Sequence, residues 1–66
     1  MEFYIARDQN DTLWLFDMKP IKNKTYFSCA VGSNGRWSEE YELEKHLFPE
    51  VTFENSPQKV KLELVN

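Results

Sequence analysis

Hydrophobic side chains fall along this chain in short alternating runs separated by turn-forming residues. The densest run, residues 12–18, holds Leu13, Trp14, Leu15 and Phe16 in succession. Successive side chains of a strand point to opposite faces, so Leu13 and Leu15 face one way and Trp14 and Phe16 the other. A strand that is apolar on both faces needs cover on both, which places it inside a curled or packed sheet. So short a run also fits part of a buried helix. Asn10-Asp11 before it, Lys19-Pro20 after it and its aromatic content favour a strand.

The same alternation recurs on either side. Over residues 2–7, Phe3 and Ile5 share one face and Tyr4 and Ala6 the other. Residues 8–11 (DQND) form Asx-turns readily and tolerate left-handed conformations, so the first two runs are expected to pair as an antiparallel hairpin. Residues 19–24 read as a loop, because Pro20 cannot donate to a ladder and disfavours helix at Lys19; Ile21 is its exposed apolar residue. Residues 25–31 predict a third strand with Phe27, Cys29 and Val31 towards the core and Tyr26, Ser28 and Ala30 opposite. Gly32-Ser33-Asn34-Gly35 is the plainest turn, since Asn-Gly takes the positive φ angles of a tight hairpin. Trp37 is expected to close over that hairpin end.

Residues 38–47 carry two patterns. A helix from Ser38 would align Trp37, Tyr41 and Phe48, with Glu39 and Glu40 near its positive end. A strand would turn Tyr41 and Leu43 inward and Glu40, Glu42 and Glu44 outward. Repulsion between Glu40 and Glu44 in the helix, and the clean alternation, favour a strand over 40–44 followed by a helical turn over 45–48. Leu47, Phe48, Val51 and Phe53 are then expected to plug one open end of the sheet. Residues 58–65 predict the last strand, with Val60, Leu62 and Leu64 inward and Lys59, Lys61 and Glu63 outward. Together the elements predict a mainly β fold: one domain over 1–66, an antiparallel meander of five strands curling into a small open barrel. A five-stranded sheet with one short helix packed on it is the alternative.

Composition narrows this further. Sixty-six residues leave room for one core, and 41% hydrophobic content with ten aromatic side chains is too rich for a disordered chain. Cys29 is the only cysteine. In a predicted strand it reads as a small buried hydrophobe, suited to a reducing cytoplasm. No signal-peptide pattern is visible, and no run approaches the roughly 20 apolar residues of a membrane span, so a soluble, cytoplasmic protein with no membrane partner is expected.

Candidate chemistry is sparse. The only histidine, His46, lies beside Leu47 and Phe48 on a predicted turn and reads as a partly exposed structural residue. One His and one Cys cannot build a Cys/His zinc site within the chain, there is no EF-hand loop, and two glycines form no phosphate-binding loop. Neither an enzyme nor a cofactor is expected. Lys19, Lys22 and Lys24, joined by Arg36 and Arg7 and followed by Tyr26 and Phe27, form a candidate single-stranded nucleic-acid patch. The net charge of −3 weighs against it. The row Glu39, Glu40, Glu42 and Glu44, continued by Glu50 and Glu54, reads as a solvated face or, alternatively, as an acidic mimic of a DNA backbone.

The surplus of aromatic residues is the stronger signal. Tyr4, Trp14, Phe16, Tyr26, Trp37 and Tyr41 cannot all be interior in so small a domain. Trp14, Trp37, Tyr26 and Tyr41 are the candidate interaction surface, with the two tryptophans as its exposed part. This favours a small non-catalytic protein-interaction module, and homodimerisation through the first strand, an edge guarded only by Glu2 and Arg7, is a further expectation.

Tyr4-Ile5-Ala6-Arg7-Asp8, Leu13-Trp14-Leu15-Phe16, Lys19-Pro20 and the segment 47–57 (LFPEVTFENSP) together carry a family likeness. Over roughly two-thirds of its length the chain resembles a set of short proteins, of unassigned activity, carried by bacteriophages, prophages and the genomes of gut bacteria. The resemblance implies context rather than residue roles: an accessory protein of a mobile element that binds a host or phage macromolecule.

Overall fold

The computed structural model describes residues 2–61. It contains six antiparallel strands and, among the described residues, no helix: β1 (Glu2–Arg7), β2 (Leu13–Phe16), β3 (Ile21–Lys22), β4 (Phe27–Ser28), β5 (Glu40–Leu43) and β6 (Gln58–Lys61). Four of them form one sheet in the order β5-β2-β1-β6, and β3 and β4 form a second, two-stranded sheet. The mainly β, antiparallel class is as the alternation predicts, and the described strands form two sheets with no closed barrel. The order also departs from a meander. β6 returns across the molecule to pair with β1, so the first strand is interior rather than an edge.

The β1–β2 hairpin forms as its turn chemistry predicts. Asp11 takes the left-handed conformation (φ 76°), and the Asp8 N–H donates to Thr12 O at 2.8 Å. The register pairs Tyr4 with Phe16 and Arg7 with Leu13, which sorts the side chains into two faces. Ile5, Leu13 and Val51 are buried on one, with Leu15, Leu43 and Val60 packed beside them. Ala6, Phe16 and Phe27 are buried on the other, against Tyr4, Trp14, Cys29 and Phe53.

The connection from β2 to β5 covers the second face. β4 lays Phe27 onto Phe16, and the Asp8 carboxylate accepts the Phe27 N–H at 2.8 Å, tying the small sheet to the hairpin turn. Residues 19–24 read as a loop in the sequence, yet Ile21 and Lys22 pair with Ser28 and Phe27 as a minimal strand; Pro20, just outside it, needs no ladder bond. Phe27 is buried as expected, whereas Val31 is exposed. The Asn34-Gly35 turn is present, with Gly35 at φ 82° and the Gly32 N–H bonded to Arg36 O at 2.7 Å. Trp37 does not close over it: paired with Val31 in an isolated bridge, it is 66% exposed.

Residues 40–43 are strand, in line with the alternation, and the turn after them closes with a Leu47 N–H to Glu44 O bond without becoming helix. The connection to β6 must then cross beneath the end of the β1–β2 hairpin, because β5 and β6 lie on opposite sides of the sheet. Arg7 holds it there. Its side chain alternates onto the face of Ile5 and Leu13 and is only 7% exposed. All five of its N–H donors reach backbone carbonyls: Nε to Val51 at 2.6 Å, Nη1 to Asp11 and Lys45 at 3.0 and 2.9 Å, Nη2 to Leu47 and Phe48 at 2.9 and 3.1 Å. Ser56 completes the crossing, its Oγ accepting the Arg7 N–H at 3.0 Å. Val51 and Phe53 consequently pack on opposite faces, and Leu47 and Phe48 stay exposed instead of plugging an end. The predicted inward positions Leu62 and Leu64 lie outside the described residues.

A lysine at position 7 offers three donors from one point and leaves at least two of these carbonyls without a partner. Arg7→Lys is therefore expected to destabilise the fold by about 2–4 kcal/mol, a large part of the stability of a domain this size. The urea midpoint measures it, and a midpoint unchanged from wild type would show that the guanidinium does not hold the crossing.

Candidate functional site

The two faces of the large sheet are covered unequally, and the less covered one forms an apolar trough. Strand alternation brings Phe3 and Ile5 of β1, Leu15 of β2, Leu43 of β5 and Val60 of β6 to the same side, and the 44–51 crossing covers only the end near Arg7. Phe48 rises from that crossing and closes one wall, giving a trough of about 540 Å³ with Lys61 at its rim. Phe48 sits at φ 48°, a left-handed conformation unusual for an aromatic residue, and its carbonyl accepts from both Arg7 and Val51. Tyr41 stands across from Leu15 at the β5 side. Its hydroxyl donates to the Glu39 carboxylate, which raises the phenol pKa above its ordinary value of 10.0, since ionisation would break that bond and set two negative charges side by side.

A second depression, about 500 Å³, lies at the hairpin end and is lined by Arg7, Asp8, Asp11, Lys45, His46 and Glu54 among others. Its residue types suggest acid–base or ion chemistry, but the two most enclosed groups are engaged elsewhere. Arg7 has no donor left over. Asp8 accepts the Phe27 N–H with Oδ1 and the Trp14 indole N–H with Oδ2, the latter at 2.9 Å. His46 is exposed, 3.4 Å from Glu44. Among the described residues no three His, Cys, Asp or Glu side chains cluster as metal ligands would.

The aromatic residues expected to form one surface are dispersed. Tyr41 lies on the trough-bearing side of the sheet, outside the trough lining, and is 49% exposed, whereas Tyr26 precedes β4 on the other side and Trp37 stands on the 31–37 hairpin. Trp14 corrects the expectation of an exposed anchor. It is half-buried against the Ala6–Phe16–Phe27 cluster, and Asp8 takes up its polar edge. Leu43 and Val60 read as inward from the sequence, and inward alternation looks the same whether or not something lies on top.

The basic residues are likewise not one patch. The Lys22 ammonium stands 4.6 Å from the centre of the Phe53 ring and 3.4 Å from Glu54 O, and Arg36 pairs with Asp17 at 3.1 Å. Lys19 and Lys24 are exposed, and Arg7, offered as a further member, is buried. Cys29 is half-buried beside Phe16 and Phe27; burial pushes its thiol pKa up, aided by the Glu40 carboxylate and opposed by a hydrogen bond from Ser38.

Comparison with protein-family models, curated proteins and solved structures gives no match.

Asp17 joins the trough-bearing sheet to the hairpin behind it. Its Oδ1 accepts the Glu39 N–H at 2.9 Å and its Oδ2 the Arg36 guanidinium. The Glu39 bond, followed by Arg36, holds the carboxyl below its ordinary pKa of 3.8, and partial burial opposes them. A carboxylate depressed in the folded state contributes stability that is full above its unfolded pKa and is lost as pH falls through the folded one. Between about pH 6 and pH 3, wild type is therefore expected to lose more stability than Asp17→Asn. Urea midpoints at the two pH values check this; equal losses would remove Asp17 from the acid sensitivity.

Proposed function

We propose that this protein is a small, non-catalytic interaction module of the accessory kind carried by phages and mobile elements. In this reading it acts in the cytoplasm and binds a polypeptide that offers two or three large apolar side chains to the trough. The observation that carries the reading is the trough itself: Phe3, Leu15, Leu43, Phe48 and Val60 line one face, and among the described residues no strand or loop lies over its middle. Apolar concavities with a polar rim are where soluble proteins take up partners. The polar cleft supports chemistry less well, since its enclosed Arg7 and Asp8 are already used in holding the fold together.

Phe48 separates binding from folding. Its conformation is one that glycine adopts without strain, so Phe48→Gly removes a wall of the trough with little cost to the crossing. The variant is expected to keep the wild-type urea midpoint while losing about 5- to 30-fold in partner affinity, the equivalent of an aromatic side chain left unburied. Affinity capture from lysate with each protein, with and without nuclease, measures it. Equal capture by the variant would take the trough out of the function. Capture abolished by nuclease would instead assign the role to nucleic acid and to Lys19 and Lys24.

A further inference from the structure

The two edges of the four-stranded sheet carry opposite charge. β5 forms one edge and β6 the other, and among the described residues each has a strand neighbour on one side only. Among the described residues, no turn or loop backbone bond involves positions 40–43 or 58–60. An edge strand presents a row of N–H and C=O groups that a further strand can pair. Here the acidic edge carries Glu40 and Glu42, and the basic edge carries Lys59 and Lys61.

The register puts these charges on one side. Glu40 stands across from Phe16, Glu42 from Trp14 and Lys59 from Tyr4, and Lys61 follows Lys59 at the strand spacing of two. Phe16, Trp14 and Tyr4 share the face packed against β4, so by alternation all four charged positions belong to that face, and Lys61, at the end of β6, also borders the trough. The trough face carries Tyr41 and Leu43 at the acidic edge and Gln58 and Val60 at the basic one. Because every neighbouring pair in the sheet is antiparallel, β5 and β6 run in opposite directions. A second copy set alongside the first, without inversion, therefore offers its β6 antiparallel to β5 with the same face upward.

We propose that the chain associates head to tail with copies of itself, β5 of one pairing antiparallel with β6 of the next. The register that matches charge sets Glu40 opposite Lys61, Tyr41 opposite Val60, Glu42 opposite Lys59 and Leu43 opposite Gln58. Charge selects this arrangement over the symmetric ones. β5 on β5 would set glutamates against glutamates, and β6 on β6 lysines against lysines, and like charges directly across a ladder are destabilising. Lys59 already pairs with Glu2 at 3.3 Å, but both side chains are exposed, and such a bond yields easily to a second carboxylate beside it. A heterologous contact of this kind repeats from copy to copy, and the natural twist of the sheet makes the product a twisted ribbon. It also places the apolar trough of one copy next to that of the following one. Leu43, Val60 and Lys61 border the trough as well as the edges, but the pairing uses the backbone and charges of β5 and β6, so this inference stands whether or not the trough binds a partner.

Two double variants and their mixture form the test. Glu40→Lys with Glu42→Lys makes both edges basic, and Lys59→Glu with Lys61→Glu makes both acidic. Sedimentation equilibrium of wild type is expected to show a weight-average mass that climbs with concentration above the 7.9 kDa of one chain. Each variant alone stays at that mass, and an equimolar mixture of the two recovers association, because each edge then meets its opposite. Recovery on mixing also shows that both variants are folded. A monomeric wild type at millimolar concentration, association that survives both reversals, or a mixture that stays monomeric would each overturn the proposal. Association lost in Phe48→Gly but retained in both reversed variants would move the contact from the edges to the trough.

Discussion

A buried guanidinium held by backbone carbonyls, with no carboxylate partner among the described residues, is the constraint on which the rest of this structure turns. Removing a charge from water costs several kcal/mol unless other dipoles replace the lost hydration. Arg7 has five N–H donors, and five backbone carbonyls accept from them. The dependence runs both ways. The carbonyls of Lys45, Leu47, Phe48 and Val51 belong to an irregular segment with no ladder of its own, and buried backbone oxygens need donors. The crossing thus solvates the arginine, and the arginine gives the crossing a shape. Without that shape β5 and β6 could not lie at opposite sides of one sheet, since the segment joining them must pass under the hairpin end.

From this follow the unequal faces. The long connection between β2 and β5 contains a second sheet and is anchored by Asp8 and Asp17, so it spreads over the face of Phe16. The connection between β5 and β6 is drawn in at the Arg7 end and leaves the far part of the Ile5 face open. The described chain is correspondingly flat, with Cα extents of 38 × 31 × 17 Å. An uncovered apolar face in so small a domain carries a cost in solubility, which a binding role would explain. The side chains with the most chemistry in them, Arg7, Asp8 and Asp17, are consumed in building the frame.

Local alternation was readable wherever a strand was long enough to show it. Phe3 to Ala6, Leu13 to Phe16 and Glu40 to Leu43 each split between faces as their period of two requires. Ile21 and Lys22 were not readable as strand, because two residues show no period and Pro20 suggests a loop. The return of β6 to β1 was also invisible, since long-range pairing leaves no local trace. Arg7 looked like a solvent-facing strand charge. Its one inward sign is its place in the Phe3–Ile5 alternation, and what makes burial tolerable is supplied by residues some 40 positions away. Trp14 misled for a related reason: the acceptor for its indole N–H is Asp8, which reads as a turn residue. The trough could not be told from core, because a residue's own pattern does not report what lies above it.

Nitrogen-15 spectroscopy of the Arg7 guanidinium tests the central claim most directly. If all five donors are held by carbonyls, rotation about the Cζ–Nη bonds is slowed and Nη1 and Nη2 give separate proton signals protected from exchange. Through-bond couplings then run from Nη1 to the carbonyl carbons of Asp11 and Lys45, from Nη2 to those of Leu47 and Phe48, and from Nε to that of Val51. A single averaged Nη signal that exchanges with water as quickly as that of an exposed arginine would contradict the account, and the crossing would need another explanation.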